Sequence, residues 1–137
     1  VFLAHALRQA GAEVADLGII PDKKGALISA LQAGLATYKQ FDLIVSTGGA
    51  SVGQHDHIAA DLTANSKARI DFWRIAMRPG KPLIAAHWSD IPFLGLPGNP
   101  VSAGVCSLVF VLPAIQMFLG LPTMPETRMD GAPQQKK

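Results

Sequence analysis

The sequence predicts an α/β fold in which a mostly parallel sheet carries helices on both faces. Helical and extended patterns alternate as α, β, α, β along the first half of the chain, and this order is typical of such sheets. The run Leu43–Val45 is apolar without interruption, as a strand covered on both faces requires. Two glycine-rich turns each follow an apolar strand, where the ligands of open α/β sheets gather.

Apolar spacing defines the expected elements of the first half. These are a helix over residues 1–11, a strand over 12–19, a helix over 23–38, a strand over 42–46 and a helix over 56–64. Gly11 is expected to end the first helix, and Pro21 the first strand. The helix over 23–38 is amphipathic, because its large apolar residues form one stripe.

The second half is expected to contain three strands and one long helix. Residues 69–78 place a more apolar set of side chains on one face and a mixed set on the other, as in a strand. The short strands 83–86 and 91–96, with the turn His87–Asp90 between them, form a hairpin or a neighbouring pair. Asn99 followed by Pro100 is a strong helix start. That helix runs to about Leu119 and is apolar nearly all round, so it must be buried or must cover another domain or subunit.

Composition indicates one globular domain without nucleic-acid or membrane partners. The chain has 137 residues, of which 49% are apolar and 16% charged, and a net charge of +2 with scattered basic residues, which does not favour nucleic-acid binding. The single Cys106 is expected to be a buried thiol, consistent with a reducing, cytoplasmic setting. Pro113 interrupts the longest apolar run, so no membrane span is expected. The abrupt helical start at Val1 indicates a piece of a longer protein.

The first glycine turn is a candidate phosphate cradle. Its amide and hydroxyl donors are Thr47, Gly48, Gly49, Ser51 and Gly53, because small residues expose backbone N–H groups to anions. Asp56 follows at the start of a helix, as a metal ligand, as an acid or base, or simply as a helix cap. His55 and His57 flank it and are expected to face solvent rather than to bind metal.

A cationic stretch lies between the two turns. Arg74 and Arg78 share strand parity, and would point to the same side about 13 Å apart. Lys81 follows a Pro-Gly turn that can direct it back toward the same region. These residues form either an oxyanion site or an ordinary solvated strand edge.

The second turn places Pro97, Gly98 and Asn99 before a helix that contains Ser102 in its first turn. It offers either free amide groups and a hydroxyl to an anion or merely a well-capped helix. Asp22 follows the first expected strand on the carboxyl side of the sheet. From its position alone it is a turn residue.

Together these stretches resemble the catalytic domain of the molybdopterin molybdenumtransferases, the MoeA and gephyrin E-domain family. Three runs carry the resemblance, in the family's order and spacing: Ser46–Asp56, Ala76–Pro82 and Leu96–Ser102. The resemblance covers about residues 1–120. It implies a molybdopterin-binding domain over residues 1–121. It also implies a three-layer α/β/α fold that lacks its first strand here. Residues 122–137 are rich in Pro, Gln and Lys, and this composition predicts a disordered tail or linker.

The resemblance implies a reaction as well as a fold. In the family, adenylylated molybdopterin is hydrolysed, AMP leaves and molybdate is inserted, with a divalent cation such as Mg²⁺. Position by position, Asp56 matches the essential aspartate of the first turn and Asp22 a further acidic position, both expected to be catalytic. Lys81 matches a family lysine, whereas Arg74 and Arg78 stand where the family usually has lysines.

The family acts as a homodimer whose active site takes residues from both subunits. Since the other family domains are absent from this sequence, we expect the chain to be inactive alone. Two alternatives to a transferase remain open: a non-catalytic scaffold module of the same fold, suggested by the apolar last helix, and a nucleotide-hydrolysing domain of the CinA type. The sequence does not decide between molybdate and tungstate.

Overall fold

The computed structural model describes residues 2–21, 23–48, 57–73 and 83–120. The helices are α1 (Phe2–Gln9), α2 (Ala26–Tyr38), α3 (His57–Ala64), α4 (Pro100–Cys106) and α5 (Leu112–Phe118). The strands are β1 (Ile44–Thr47), β2 (Ala68–Trp73), β3 (Ile84–Trp88) and β4 (Ile91–Leu96). A π-helical stretch, Ser107–Val111, joins α4 to α5. The proposed tail, residues 122–137, lies outside the described residues.

The described strands form one sheet in the order β1-β4-β3-β2. β1 and β4 are parallel, whereas β4 with β3 and β3 with β2 are antiparallel. The α/β class is therefore confirmed, but this part of the sheet is mixed rather than mostly parallel. The reason is the expected hairpin, because a two-residue turn can join only antiparallel strands.

Two apolar clusters pack on opposite faces of the sheet and produce three layers. The first joins α2 and α3 to the sheet through residues such as Leu31, Leu62 and Phe93. The second joins α1, α4 and α5 to the other face through Leu7, Cys106, Ile115 and Leu96, among others. Helices therefore cover both faces, as the order of elements predicts.

The expected strand over 12–19 is wrong. Residues 12–20 form neither helix nor strand and pair with no strand of the described sheet. Their apolar side chains are nevertheless partly buried: Val14 packs on the second cluster, and Leu17 and Ile20 pack on the first. Apolar spacing shows only that side chains are buried. A loop that packs on the two clusters buries its side chains without pairing in a sheet.

The last helix is continuous to Phe118, as the Asn-Pro start and the apolar pattern predict, whereas the expectation that Pro113 leaves no stretch long enough for a membrane span is wrong. α4, the π-helical stretch and α5 form one helix from Pro100 to Phe118, which by length and composition alone could cross a membrane. Cys106, Val111 and Ile115 are buried against the sheet, but only 22% of the apolar stretch is buried. The wider π turn precedes Pro113, whose ring would otherwise clash with the carbonyl four residues earlier.

The remaining expected elements are present with shifted ends. The hairpin turn is shorter than expected: only Ser89 and Asp90 leave the ladder, both with positive φ (51° and 64°), the geometry of a type I′ turn. The strand expected over 69–78 is described as far as Trp73. Its ladder skips Asp71, which is the extra residue of a β-bulge.

Candidate functional site

The described part of the first glycine turn, which ends at Gly48, lies beside the second turn, because the two follow the parallel neighbours β1 and β4. The Gly48 amide donates to the Leu96 carbonyl at 3.0 Å, which extends the pairing beyond the end of β1. Gly98, in the second turn, packs so closely on Gly48 that a Cβ added to Gly98 would lie 3.3 Å from the Gly48 Cα. Two stretches about fifty residues apart thus form one surface at the carboxyl end of the sheet.

Glycine is needed at both contact positions, for different reasons. Gly48 has φ +80°, a conformation that residues with a Cβ rarely adopt. Gly98 has no such constraint on φ, but it has no room for a side chain against the Gly48 backbone. Conformation at one residue and space at the other therefore bring the turns together.

The second turn ends in a capped helix rather than in free donors. The Asn99 side-chain oxygen accepts from the amides of Val101 and Ser102 at 2.9 and 3.1 Å, and the Asn99 carbonyl accepts from Ala103. Pro100 has no amide hydrogen. The expectation of free amides at the start of α4 is therefore not met, and an anion would have to displace the Asn99 cap to use them.

The other described residues of this surface differ in exposure. Thr47 is exposed, Ser102 is half-buried, and Pro97 is buried beside the exposed Gly98 and Asn99. Pro97 thus anchors the turn while its neighbours face solvent. Of the residues that the sequence suggests for this site, these and Gly48 are the ones that the structure brings together.

A buried hydroxyl beside the first turn was not singled out from sequence. The Ser46 Oγ is buried and has no hydrogen-bond partner among the described residues. It lies against Gly95, where an added Cβ would come within 3.4 Å of it. The only sequence signal was its position at the head of the Ser-Thr-Gly-Gly run.

Eight of the suggested site residues lie outside the described residues. They are Asp22, Gly49, Ser51, Gly53, Asp56, Arg74, Arg78 and Lys81. Their roles stay predictions, and so does the suggested metal at Asp56. Within the described ranges, no three His, Cys, Asp or Glu side chains are grouped so that they could hold a metal ion.

Comparison with known proteins identifies a matching sequence family and several similar proteins. Residues 1–117 match the sequence family described as "Probable molybdopterin binding domain". A molybdopterin molybdenumtransferase of Haemophilus influenzae is 40% identical over 108 residues, which cover 79% of this chain and 26% of that protein. One of Nostoc sp. is 38% identical over 122 residues, covering 87% of this chain and 27% of that protein.

A solved structure shares the fold. The crystal structure of the molybdopterin biosynthesis MoeA protein from Pyrococcus horikosii superposes with a TM-score of 0.73 at 28% sequence identity. The match covers 87% of this chain and 28% of that one. The chain thus spans about a quarter of the length of the relatives that it matches. With a family match over most of its length and a shared fold, the chain belongs to the molybdopterin-binding domain family.

Proposed function

We propose that this chain is the ligand-binding core of a molybdenum insertase of cofactor biosynthesis. Its substrate is adenylylated molybdopterin, and the reaction of the whole protein inserts molybdate and releases AMP. The observation that carries the proposal is the junction of the two glycine turns, where Gly48 bonds to Leu96 and packs on Gly98. The printed names of two relatives, both molybdopterin molybdenumtransferases, support it.

The joined turns suit a phosphorylated ligand because they combine close backbone approach with small polar groups. Glycine at positions 48 and 98 lets a ligand reach the main chain without meeting a side chain. The Thr47 hydroxyl is exposed at the end of β1 and can donate to a phosphate oxygen. The rigid Asn99 cap keeps the start of α4 fixed, so little ordering is needed when the ligand binds.

The charged residues of the proposed site come from segments outside the described residues. We assign oxyanion binding to Arg74, Arg78 and Lys81, because guanidinium groups bind such anions with two donors at once and an ammonium acts as a point charge. Asp56 and Asp22 are assigned to catalysis. Asp56 would also hold Mg²⁺, which neutralises charge between a carboxylate and a phosphate.

Calorimetric titration of the chain with AMP tests the proposal. We expect saturable binding that is weakened by Asp56→Ala in the presence of Mg²⁺ and by Arg78→Ala in its absence. Asp16→Ala removes an exposed carboxylate that accepts from the Gly18 amide, and it serves as the control. Absence of AMP binding by the folded chain, or equal binding by all three variants, would contradict the proposal.

The enzyme is proposed to work as a cytoplasmic homodimer, and the outer face of the last helix supports self-association. Large apolar side chains are exposed along it, namely Val101, Leu108, Val109, Met117 and Phe118. Exposed apolar area of this kind typically marks an interaction surface. The same face favours the second candidate, a non-catalytic scaffold module. A tight oligomer in sedimentation that binds neither AMP nor molybdate would favour the scaffold.

A further inference from the structure

A polar groove lies at the opposite end of the sheet from the two glycine turns. It has a volume of about 480 Å³, and its polar lining is Ser66, Lys67, Arg69, His87, Ser89 and Asp90. β4 begins at Ile91 beside this groove and ends at Leu96 beside the turns. Six residues of strand separate the two places, roughly 17 Å, so the groove is distinct from the proposed active site.

A cross-strand charge cluster forms one wall of the groove. Arg69 and His87 are directly paired in the β2–β3 ladder, and the bulge residue Asp71 reaches both. The Arg69 Nε donates to the Asp71 Oδ1 at 2.9 Å, and the Asp71 Oδ2 lies 2.8 Å from the His87 Nδ1. A β-bulge redirects side chains in this way. All three side chains retain solvent access, with exposed fractions of 62%, 36% and 30% for Arg69, Asp71 and His87.

The His87 Nδ1 has two neighbours that it cannot satisfy together. Besides Asp71, the Arg69 Nη2 lies 2.9 Å away. A bare nitrogen can accept from the guanidinium but then faces the carboxylate lone pairs; a protonated nitrogen donates to the carboxylate but then faces guanidinium hydrogens. Protonation of the imidazole at both nitrogens therefore leaves Asp71 bound and frees the Arg69 Nη2 for another acceptor.

The backbone around the groove is held in place from two sides. The Ser89 amide donates to the Lys67 carbonyl at 2.8 Å, which ties the hairpin turn to the loop before β2. The Asn65 side chain accepts from the Lys67 amide at 2.9 Å. Ser89 and Asp90 both keep positive φ without being glycine. The hairpin turn and the loop before β2 are therefore joined by a hydrogen bond beside the groove.

The lining favours an anion over a cation. Lys67 and Arg69 supply charged donors, Ser66 and Ser89 supply hydroxyls, and no metal-holding group of three ligands exists in the part of the chain that is described. Two negative groups, Asp71 and Asp90, balance the two permanent cations. Protonated His87 gives the cluster a net charge of +1. Pro92, which faces His87 from β4, adds no charge.

We propose that this groove binds a tetrahedral oxyanion through Lys67, Arg69 and His87, and that binding is coupled to the uptake of a proton by His87. From the tautomer in which the Nδ1 accepts from Arg69, the proton goes to the Nδ1, releases the Arg69 Nη2 from the imidazole and changes the cluster's charge from zero to +1. The site is separate from the proposed function. It accepts either a free anion or the phosphate group of a small molecule.

The test is an NMR titration of the ¹⁵N-labelled chain with sodium sulfate at constant ionic strength, kept with sodium chloride. Sulfate keeps its charge of −2 between about pH 5.5 and 8, the range in which imidazole groups change charge, so any pH dependence belongs to the protein. We expect saturable shifts of the Lys67, Arg69 and Ser89 amides, with affinity rising as the pH falls. A parallel titration with glycerol 2-phosphate at the pH of tightest sulfate binding distinguishes the sources: tighter binding indicates a phosphomonoester, and equal or weaker binding a free anion.

Variants separate a binding site from general charge attraction. Arg69→Gln is expected to weaken sulfate binding about three- to fivefold, the effect of one exposed charge pair, whereas Asp71→Asn should strengthen it by removing a negative charge. His87→Gln should abolish the pH dependence. Arg8→Gln removes one exposed charge from α1 and should change nothing. Shifts that do not saturate, equal losses in Arg69→Gln and Arg8→Gln, or a pH dependence retained in His87→Gln would overturn the proposal.

Discussion

Substitution of Gly98 by alanine is the most direct test of the joined turns. The added Cβ would lie 3.3 Å from the Gly48 Cα, closer than about nine in ten observed contacts of this kind, and the neighbour is backbone that must move by a few tenths of an ångström. Overpacking of this sort costs about 1 kcal/mol of folding free energy. If that cost falls on the geometry that binds AMP, the affinity should fall about fivefold, because a tenfold change in affinity corresponds to about 1.4 kcal/mol.

Gly104→Ala provides the matched control for this substitution. Position 104 lies in α4, and an added Cβ there meets nothing within 4 Å. Alanine should therefore stabilise the helix by about 0.5–1 kcal/mol and leave AMP binding unchanged. Urea unfolding gives the two free energies, and calorimetry gives the two affinities. The reasoning is refuted if Gly98→Ala binds AMP as tightly as the unsubstituted chain does, or if both alanine variants change stability in the same direction.

Three further predictions concern stability, pH and reactivity. The buried Asp61 carboxylate accepts from the Gly25 and Leu27 amides at 2.8 and 3.2 Å, so Asp61→Ala should lower the free energy of unfolding in urea by about 2–3 kcal/mol. The exposed Asp16→Ala should change it by no more than about 0.5 kcal/mol. Similar losses in both variants would contradict this prediction. Hydrogen bonds from Arg69 and His87 hold the pKa of Asp71 below its ordinary value of 3.8. This stabilisation is fully present above pH 3.8 and is lost as the pH falls through the lower folded-state pKa. When the free energy of unfolding is measured against pH, Asp71→Asn should therefore lose less stability below pH 3.8 than the unsubstituted chain does. Identical curves for the two proteins would argue against this prediction. Burial raises the pKa of the Cys106 thiol, so its reaction with a thiol reagent near neutral pH should be slow. The reaction should accelerate with urea in parallel with unfolding. Rapid labelling of the native chain would show instead that this side chain is accessible.

Local sequence signals predicted much of the fold because each depends on a short stretch of chain. The Asn-Pro helix start, the apolar stripe of α2 and the continuous apolar run of β1 all appear where expected. The same signals failed for residues 12–19, since apolar spacing is equally met by a loop packed on two clusters. Contrary to expectation, Pro113 also does not exclude a long apolar helix, because a preceding π-helical stretch accommodates the ring.

The candidate site, like the fold, could be predicted from sequence only in part. Glycines at positions 48 and 98 could be recognised as turn residues from sequence alone. Their mutual contact could not, because it depends on the parallel pairing of β1 with β4, whose residues are distant in the chain. The Asn99 cap was one of two alternatives open from sequence, and only the distances to the Val101 and Ser102 amides decided between them.

The sequence by itself determined the α/β class, the positions of the two turns and the family resemblance, because these rest on residue types at short spacing. Tertiary structure decided which turns touch, which face of the last helix is buried and that a bulge at Asp71 brings its carboxylate against Arg69 and His87. The physical reason is that strand pairing and register bring together residues that no local propensity relates. Contacts of that kind are set only when the whole sheet is assembled.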